Sequence, residues 1–172
     1  MKRARLSRDN WITAGFDACS TGGPNALAAE PLARALGTTK GSFYWHFKDV
    51  PAFQDAILAT WQEQALGEII VLLEEEGDAD KRLRSFGHIV LASKLEPQLR
   101  IWAQNDSRAA RVLAEVDAER LAYLARLLGL LGLRNPDFAR ALQAALTGIP
   151  LLSAKPDTAP FEALVDTVLA LA

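Results

Sequence analysis

The stretch Leu32–Phe47, LARALGTTKGSFYWHF, constrains this chain more than any other. Ala33, Gly37 and Phe43 stand at offsets of four and six, a spacing that lets two short helices joined by a tight turn cross closely. Ala33 is small where the second helix must approach. Gly37 can take the left-handed conformation that ends the first helix. Phe43 then fills the angle between them, beside Leu32 and Leu36. Thr39 is placed to N-cap the second helix, whose first turn holds Lys40, Gly41 and Ser42. Those residues suit close approach to a phosphate or a base edge at a positive helix end. An ordinary helical hairpin could also end in glycine, but it would not account for Tyr44-Trp45-His46 followed by Lys48.

The strings Leu32-Ala33-Arg34-Ala35-Leu36-Gly37 and Lys40-Gly41-Ser42-Phe43-Tyr44-Trp45-His46-Phe47-Lys48 resemble the TetR (tetracycline-repressor-like) family of one-component regulators. The resemblance reaches back through Trp11-Ile12 and forward to Trp61, so its motif-specific part covers residues 8–61. Beyond that it rests on helix spacing and positions such as Trp102, Asp117 and Arg120. The chain departs from the family in carrying Ala28 where the second helix usually opens on Ser or Thr. Pro31 must therefore lie in the first turn of that helix. The resemblance implies an all-α fold: a three-helix helix-turn-helix head over residues 1–48, joined by a long helix to a helical ligand-binding and dimerisation body over residues 49–172. It also implies that the third helix lies in the major groove of double-stranded DNA. Thr39, Tyr44, His46 and Lys48 would then hold phosphates, and Lys40, Gly41, Ser42 and Trp45 would lie nearest the bases. For Tyr44 and Trp45 the competing reading is packing against the long helix.

Charge supports a DNA-binding head. Residues 1–48 hold seven Lys/Arg and three acids, a net +4, whereas the other 124 residues hold twelve and eighteen, a net −6. A basic head on an acidic body is hidden in a whole-chain net charge of −2. Lys2, Arg3 and Arg5 form a basic arm ahead of Ser7, a plausible N-cap.

Periodicity lays out the helices. Trp11, Ile12, Gly15, Phe16 and Cys19 recur at helical spacing to about Thr21, where Gly22-Gly23-Pro24 stops the helix. Ala29–Leu36 and Lys40–Phe47 follow, sharing a core of Phe16, Leu27, Leu32, Leu36, Phe43 and Phe47. A long helix over about residues 50–76 carries the stripe Phe53, Ile57, Trp61, Ala65, Ile69 and Leu72. Further helices are expected from Asp78 or Asp80 to about Leu95, around Pro97–Trp102, over Ser107–Leu131, over Asn135–Leu152 and over Phe161–Ala172, the last after a linker at Ser153–Pro160. No strand pattern and no internal repeat is visible.

Inventory excludes most chemistry. Two histidines, His46 and His88, one cysteine, Cys19, no glycine-rich phosphate loop and no nucleophile elbow leave no catalytic residues, no metal site and no cofactor motif. Cys19 reads as a small buried residue rather than a redox sensor. No run approaches the eighteen or so apolar residues of a membrane span, Leu127–Leu133 being the longest, and no signal peptide follows Met1–Arg8. The chain reads as cytoplasmic and not an enzyme.

In the body, Trp61, Phe86, His88, Trp102, Asp117 and Tyr123 are aromatic or polar-tipped residues on the helices that would enclose a pocket, though each alone reads more simply as core. The last two helices offer a dimer surface through Leu142, Ala145, Gly148, Ile149, Leu164, Val165, Val168 and Leu169. On the final helix Leu164, Val168 and Leu171 mark one apolar side and Phe161, Val165 and Leu169 another. One side can face the chain's own core and the other a partner. The reading is a homodimeric, ligand-responsive transcriptional regulator, a repressor, on a palindromic operator and released by a small apolar or aromatic effector. The alternative is a helical DNA-binding or interaction protein that senses nothing.

Overall fold

The computed structural model describes residues 6–74, 77–152 and 157–171. Every element among them is helical: α1 (Arg8–Gly22), a 3-10 turn (Pro24–Ala26), α2 (Ala29–Ala35), α3 (Lys40–Tyr44), α4 (Val50–Glu74), α5 (Ala79–Ala92), α6 (Glu96–Ala103), α7 (Ser107–Leu130), α8 (Pro136–Leu152) and α9 (Ala159–Leu169). The all-α reading holds. The chain packs as two compact units, one containing residues up to Glu63 together with Lys94–Leu113, the other Gln64–Ser93 and the chain from Ala114 on. These units do not follow the sequence boundary at residue 48, because α6 and the start of α7 pack with the N-terminal helices.

In the first unit, local chemistry sets each helix end. Ser7 caps α1 in a reciprocal box with Asn10, whose amide donates to the serine hydroxyl while its side-chain oxygen accepts from the Ser7 amide at 2.8 Å. Pro31 sits in the first turn of α2, where its missing N–H costs nothing. Gly37, at φ 63°, closes α2 in a Schellman turn: Thr38 N donates to Ala33 O at 2.8 Å and Gly37 N to Arg34 O at 3.1 Å. Asp49 caps α4 by accepting from Ala52 N at 2.8 Å, which leaves Pro51 in the first turn. The core departs from expectation in its centre. Trp11, Cys19, Leu27, Leu32, Phe43 and Phe47 are buried, but Phe16 and Leu36 are only half-buried. Gly15 lets α1 pass close over α4, since a Cβ there would meet Phe53 and Ile57 at 2.6 Å. α6 packs on α1 and the 3-10 turn, burying Leu95, Leu99 and Trp102.

The second unit is built on the end of α4, α5, most of α7, α8 and α9. Ile69, Leu72, Leu83, Phe86, Tyr123, Leu124, Leu142 and Phe161 belong to one continuous core. α5 and α9 touch where Gly87 meets the Phe161 ring. Arg84 ties the same two helices, donating to Glu162 and, at 2.7 Å, to Asp166. On α9 the core-facing set is Phe161, Val165 and Val168, which mixes the two expected apolar sides. α4 is, among the described residues, the one helix long and apolar enough by length and mean hydropathy (1.2) to cross a membrane, which a search for unbroken apolar runs does not flag. Glu75 and Glu76 of the expected acidic end, residues 153–156 of the linker, and Lys2, Arg3 and Arg5 lie outside the described residues.

Candidate nucleic-acid interface

Phe43 anchors α3. Its side chain is fully buried and meets Trp11, Tyr44 and Phe53 edge-on, with ring centroids 5.4, 5.2 and 5.2 Å apart. Phe47 packs on Phe53 at 4.7 Å and receives the Arg8 guanidinium on its face at 5.2 Å. This aromatic block fixes one side of α3, so the remaining residues point outward. Thr39, Lys40, Gly41, Tyr44, Trp45 and Lys48 are exposed, and Ser42 and His46 are half-buried. Trp45 is 83% exposed and Tyr44 46%, so Trp45 does not pack against the long helix. Lys40 Nζ lies 6.0 Å from the Tyr44 ring.

Two local expectations are corrected. α3 ends at Tyr44 rather than Phe47, because His46 N and Phe47 N both fold back onto Phe43 O, at 2.9 and 3.0 Å, and tighten the last turn. Thr39 occupies the N-cap position in extended conformation, but its hydroxyl makes no capping hydrogen bond; its carbonyl accepts from Ser42 N instead. A five-residue helix has little dipole, so contact with an anion here depends on side chains.

The six residues read as a ligand site are divided. Trp61 and Trp102 belong to the first unit and Phe86, His88, Asp117 and Tyr123 to the second. Phe86 and Tyr123 meet edge-on at 5.2 Å in the core. Asp117 accepts from Gln143 Nε2 at 3.2 Å. His88 is exposed, and its Nε2 pairs with Glu162 Oε1 at 2.5 Å, so it lines no core. Of the dimer residues, Leu142, Val165 and Val168 are 0, 0 and 4% exposed in the single chain and belong to its own core. Ala145, Gly148, Ile149, Leu164 and Leu169 keep partial exposure.

Cys19 is fully buried, and burial pushes its thiol up to about 11, which keeps it protonated and unreactive near neutral pH. Among the described residues no group of three or more His, Cys, Asp or Glu is placed to hold a metal ion. Sequence reasoning missed a polar knot in the first unit. Arg108 joins Asp106, Asp55 and Gln54, and holds the Asp106 carboxyl down to about 2. Only the short-range Asp106–Arg108 spacing could have hinted at it.

The arrangement is a buried aromatic pivot carrying an outward cationic and aromatic turn on a helix-turn-helix. No protein-family model matches the chain, and no curated protein matches it in sequence. Solved structures match it nearly end to end. NemR of E. coli in its reduced form is 19% identical with a TM-score of 0.73, covering 94% of each chain. A transcriptional regulator from Saccharomonospora viridis in complex with choline is 12% identical with a TM-score of 0.76, covering 94% of this chain and 92% of that one. A TetR-family member from Streptomyces coelicolor is 24% identical with a TM-score of 0.68, covering 95% and 96%. The chain has the fold of TetR-family transcriptional regulators.

Proposed function

We propose that this chain is a DNA-binding transcriptional regulator that acts as a homodimer. The observation that carries the reading is the outward face of α3 and the turn after it, where Lys40, Tyr44, Trp45 and Lys48 are exposed around a fully buried Phe43. Apolar Trp45 in open solvent has no packing role in the chain and fits base edges or sugar. Residues 1–48 carry DNA contact in this reading, and residues 49–172 carry dimerisation and effector response. Selection of bound duplexes from a random library tests it, followed by binding at several salt concentrations. Lys48→Ala should weaken binding to every sequence and lower the salt slope by roughly 0.9 per lost phosphate contact. Lys40→Ala should also blur base preference. Wild-type affinity in both variants at ~150 mM salt would overturn the assignment.

The dimer surface is assigned to the partly exposed Ala145, Gly148, Ile149, Leu164 and Leu169. Isologous pairing of one patch with its copy makes the operator a near-palindrome. Gly148→Glu separates the interface from the core, because a Cβ at Gly148 meets nothing within 4 Å in the single chain. The wild type should sediment as a dimer of 18.7 kDa chains and the variant as a folded monomer. A variant that remains dimeric places the interface elsewhere.

The regulator is read as a repressor released by a small apolar or aromatic effector. That a small organic molecule is sensed draws support from similarly folded proteins: one was solved with choline, a small organic cation, and another is a fatty acid degradation regulator from Bacillus halodurans. A compound that changes tryptophan emission should bind more weakly by about 5–150-fold when operator is present. Unchanged affinity would favour the non-sensing alternative, a DNA-binding protein whose body only mediates interaction.

A further inference from the structure

We infer that Arg108 is a positioning residue for DNA binding, fixing through α4 the floor on which the recognition helix rests. The inference depends on the DNA-binding reading above. Arg108 Nη2 donates to Asp106 Oδ2 at 2.7 Å and Nε to Asp106 Oδ1 at 3.2 Å, while the same carboxylate accepts from Arg108 N at 2.9 Å and caps α7. Trp102 Nε1 donates to Asp106 Oδ2 at 3.1 Å, so α6 joins the knot. The other side of the guanidinium reaches α4, with Nη1 to Asp55 Oδ1 at 2.8 Å and Nη2 to Gln54 Oε1 at 3.1 Å. Gln54 and Asp55 directly follow Phe53, the buried ring under both Phe43 and Phe47. One side chain thus sets α4 where α4 supports the helix that faces DNA.

Arg108 is no phosphate contact itself. It is flanked by two carboxylates, so the group carries a net negative charge and repels a phosphate. Its α4 bridge is also exposed, with Arg108 and Asp55 side chains 36 and 58% accessible, and such bridges contribute little to stability. Binding geometry is the more sensitive quantity, since a site displaced by even half an ångström or so loses much of its complementarity.

The test compares wild type with Arg108→Met, Arg108→Lys and the double variant Gln54→Ala/Asp55→Ala, each on a duplex selected from a random library. The double variant leaves the Asp106 cap of α7 intact and decides the question if Arg108→Met fails to fold. Folded variants, checked by cooperative melting, should bind about 5–30-fold more weakly with an unchanged salt slope, and Arg108→Lys should recover part of the loss. Affinity within twofold of wild type overturns the inference, as does a slope reduced by about 0.9, which would make Arg108 a phosphate contact. Lys48→Ala, run alongside, separates the two failures. If it weakens binding while these variants do not, only the positioning role falls; if it too is neutral, the DNA-binding reading falls with it.

Discussion

Cut after Glu63, the chain should lose both its cooperative unfolding transition and the DNA binding proposed above, although every residue of the helix-turn-helix is retained. The reason is the makeup of the first compact unit, which takes in Lys94–Leu113. That segment supplies Leu95, Leu99, Trp102 and Ala109, at 7, 0, 6 and 0% exposure. α6 lies against α1 and the 3-10 turn, and the backbone of Gly23 passes Gln98 closely enough that a Cβ would stand 3.4 Å from its side-chain oxygen. Truncating a single buried Leu or Trp to Ala costs about 2–5 kcal/mol. Losing several at once exceeds the roughly 5–15 kcal/mol that holds a whole domain together. A chain of some sixty residues has little surplus core to offset the loss. Far-UV circular dichroism of the fragment should show partial helix and a broad, non-cooperative melt, and it should not shift a duplex that the intact chain binds. A sharp melt near that of the intact chain would show that the N-terminal helices are self-sufficient.

What could be read from the sequence was what depends on neighbours along the chain. Gly37 ends α2 and Asp49 starts α4 because each acts on backbone groups within five residues. The stripe from Phe53 to Leu72 repeats at intervals of three and four, and all six of its positions are buried. Face selection was harder. α9 is apolar on two sides, and its observed core, Phe161, Val165 and Val168, draws on both of the expected sets. A pitch of 3.6 residues alternates steps of four and three, which is the spacing observed. Partners distant in sequence left no trace. Arg108 meets Asp55 across 53 positions, and Arg84 meets Glu162 across 78. Neither pairing has a period to detect. The outward-facing turn from Lys40 to Lys48 was legible because the chemistry that aims α3 is itself local. The six residues read as a ligand site carry no such local signal, because their residue types are equally those of a core.

Gly87→Ala should destabilise the second unit sharply, whereas the same change at Gly67 should be neutral or stabilising. Both glycines lie inside helices, where alanine is intrinsically better by about 1 kcal/mol. They differ in what a Cβ would meet. At Gly67 nothing lies within 4 Å. At Gly87 the Phe161 ring lies 2.0 Å from the Cβ position at Cε1 and 2.6 Å at Cδ1 and Cζ. Phe161 is fully buried, so its ring cannot swing into solvent, and relief requires α9 to move off α5. Overpacking typically costs 1–3 kcal/mol, and contacts this short belong at or above the upper end, well beyond the propensity gain. Shortening the ring should restore part of the loss. Phe161→Leu alone leaves a void, but in the Gly87→Ala background the new methyl occupies some of it. The two changes should therefore couple favourably by about 0.5–3 kcal/mol in a double-mutant cycle followed by urea unfolding. If Gly87→Ala unfolds at the wild-type midpoint, or the two costs simply add, the close passage of α5 over α9 is not what holds the second unit together.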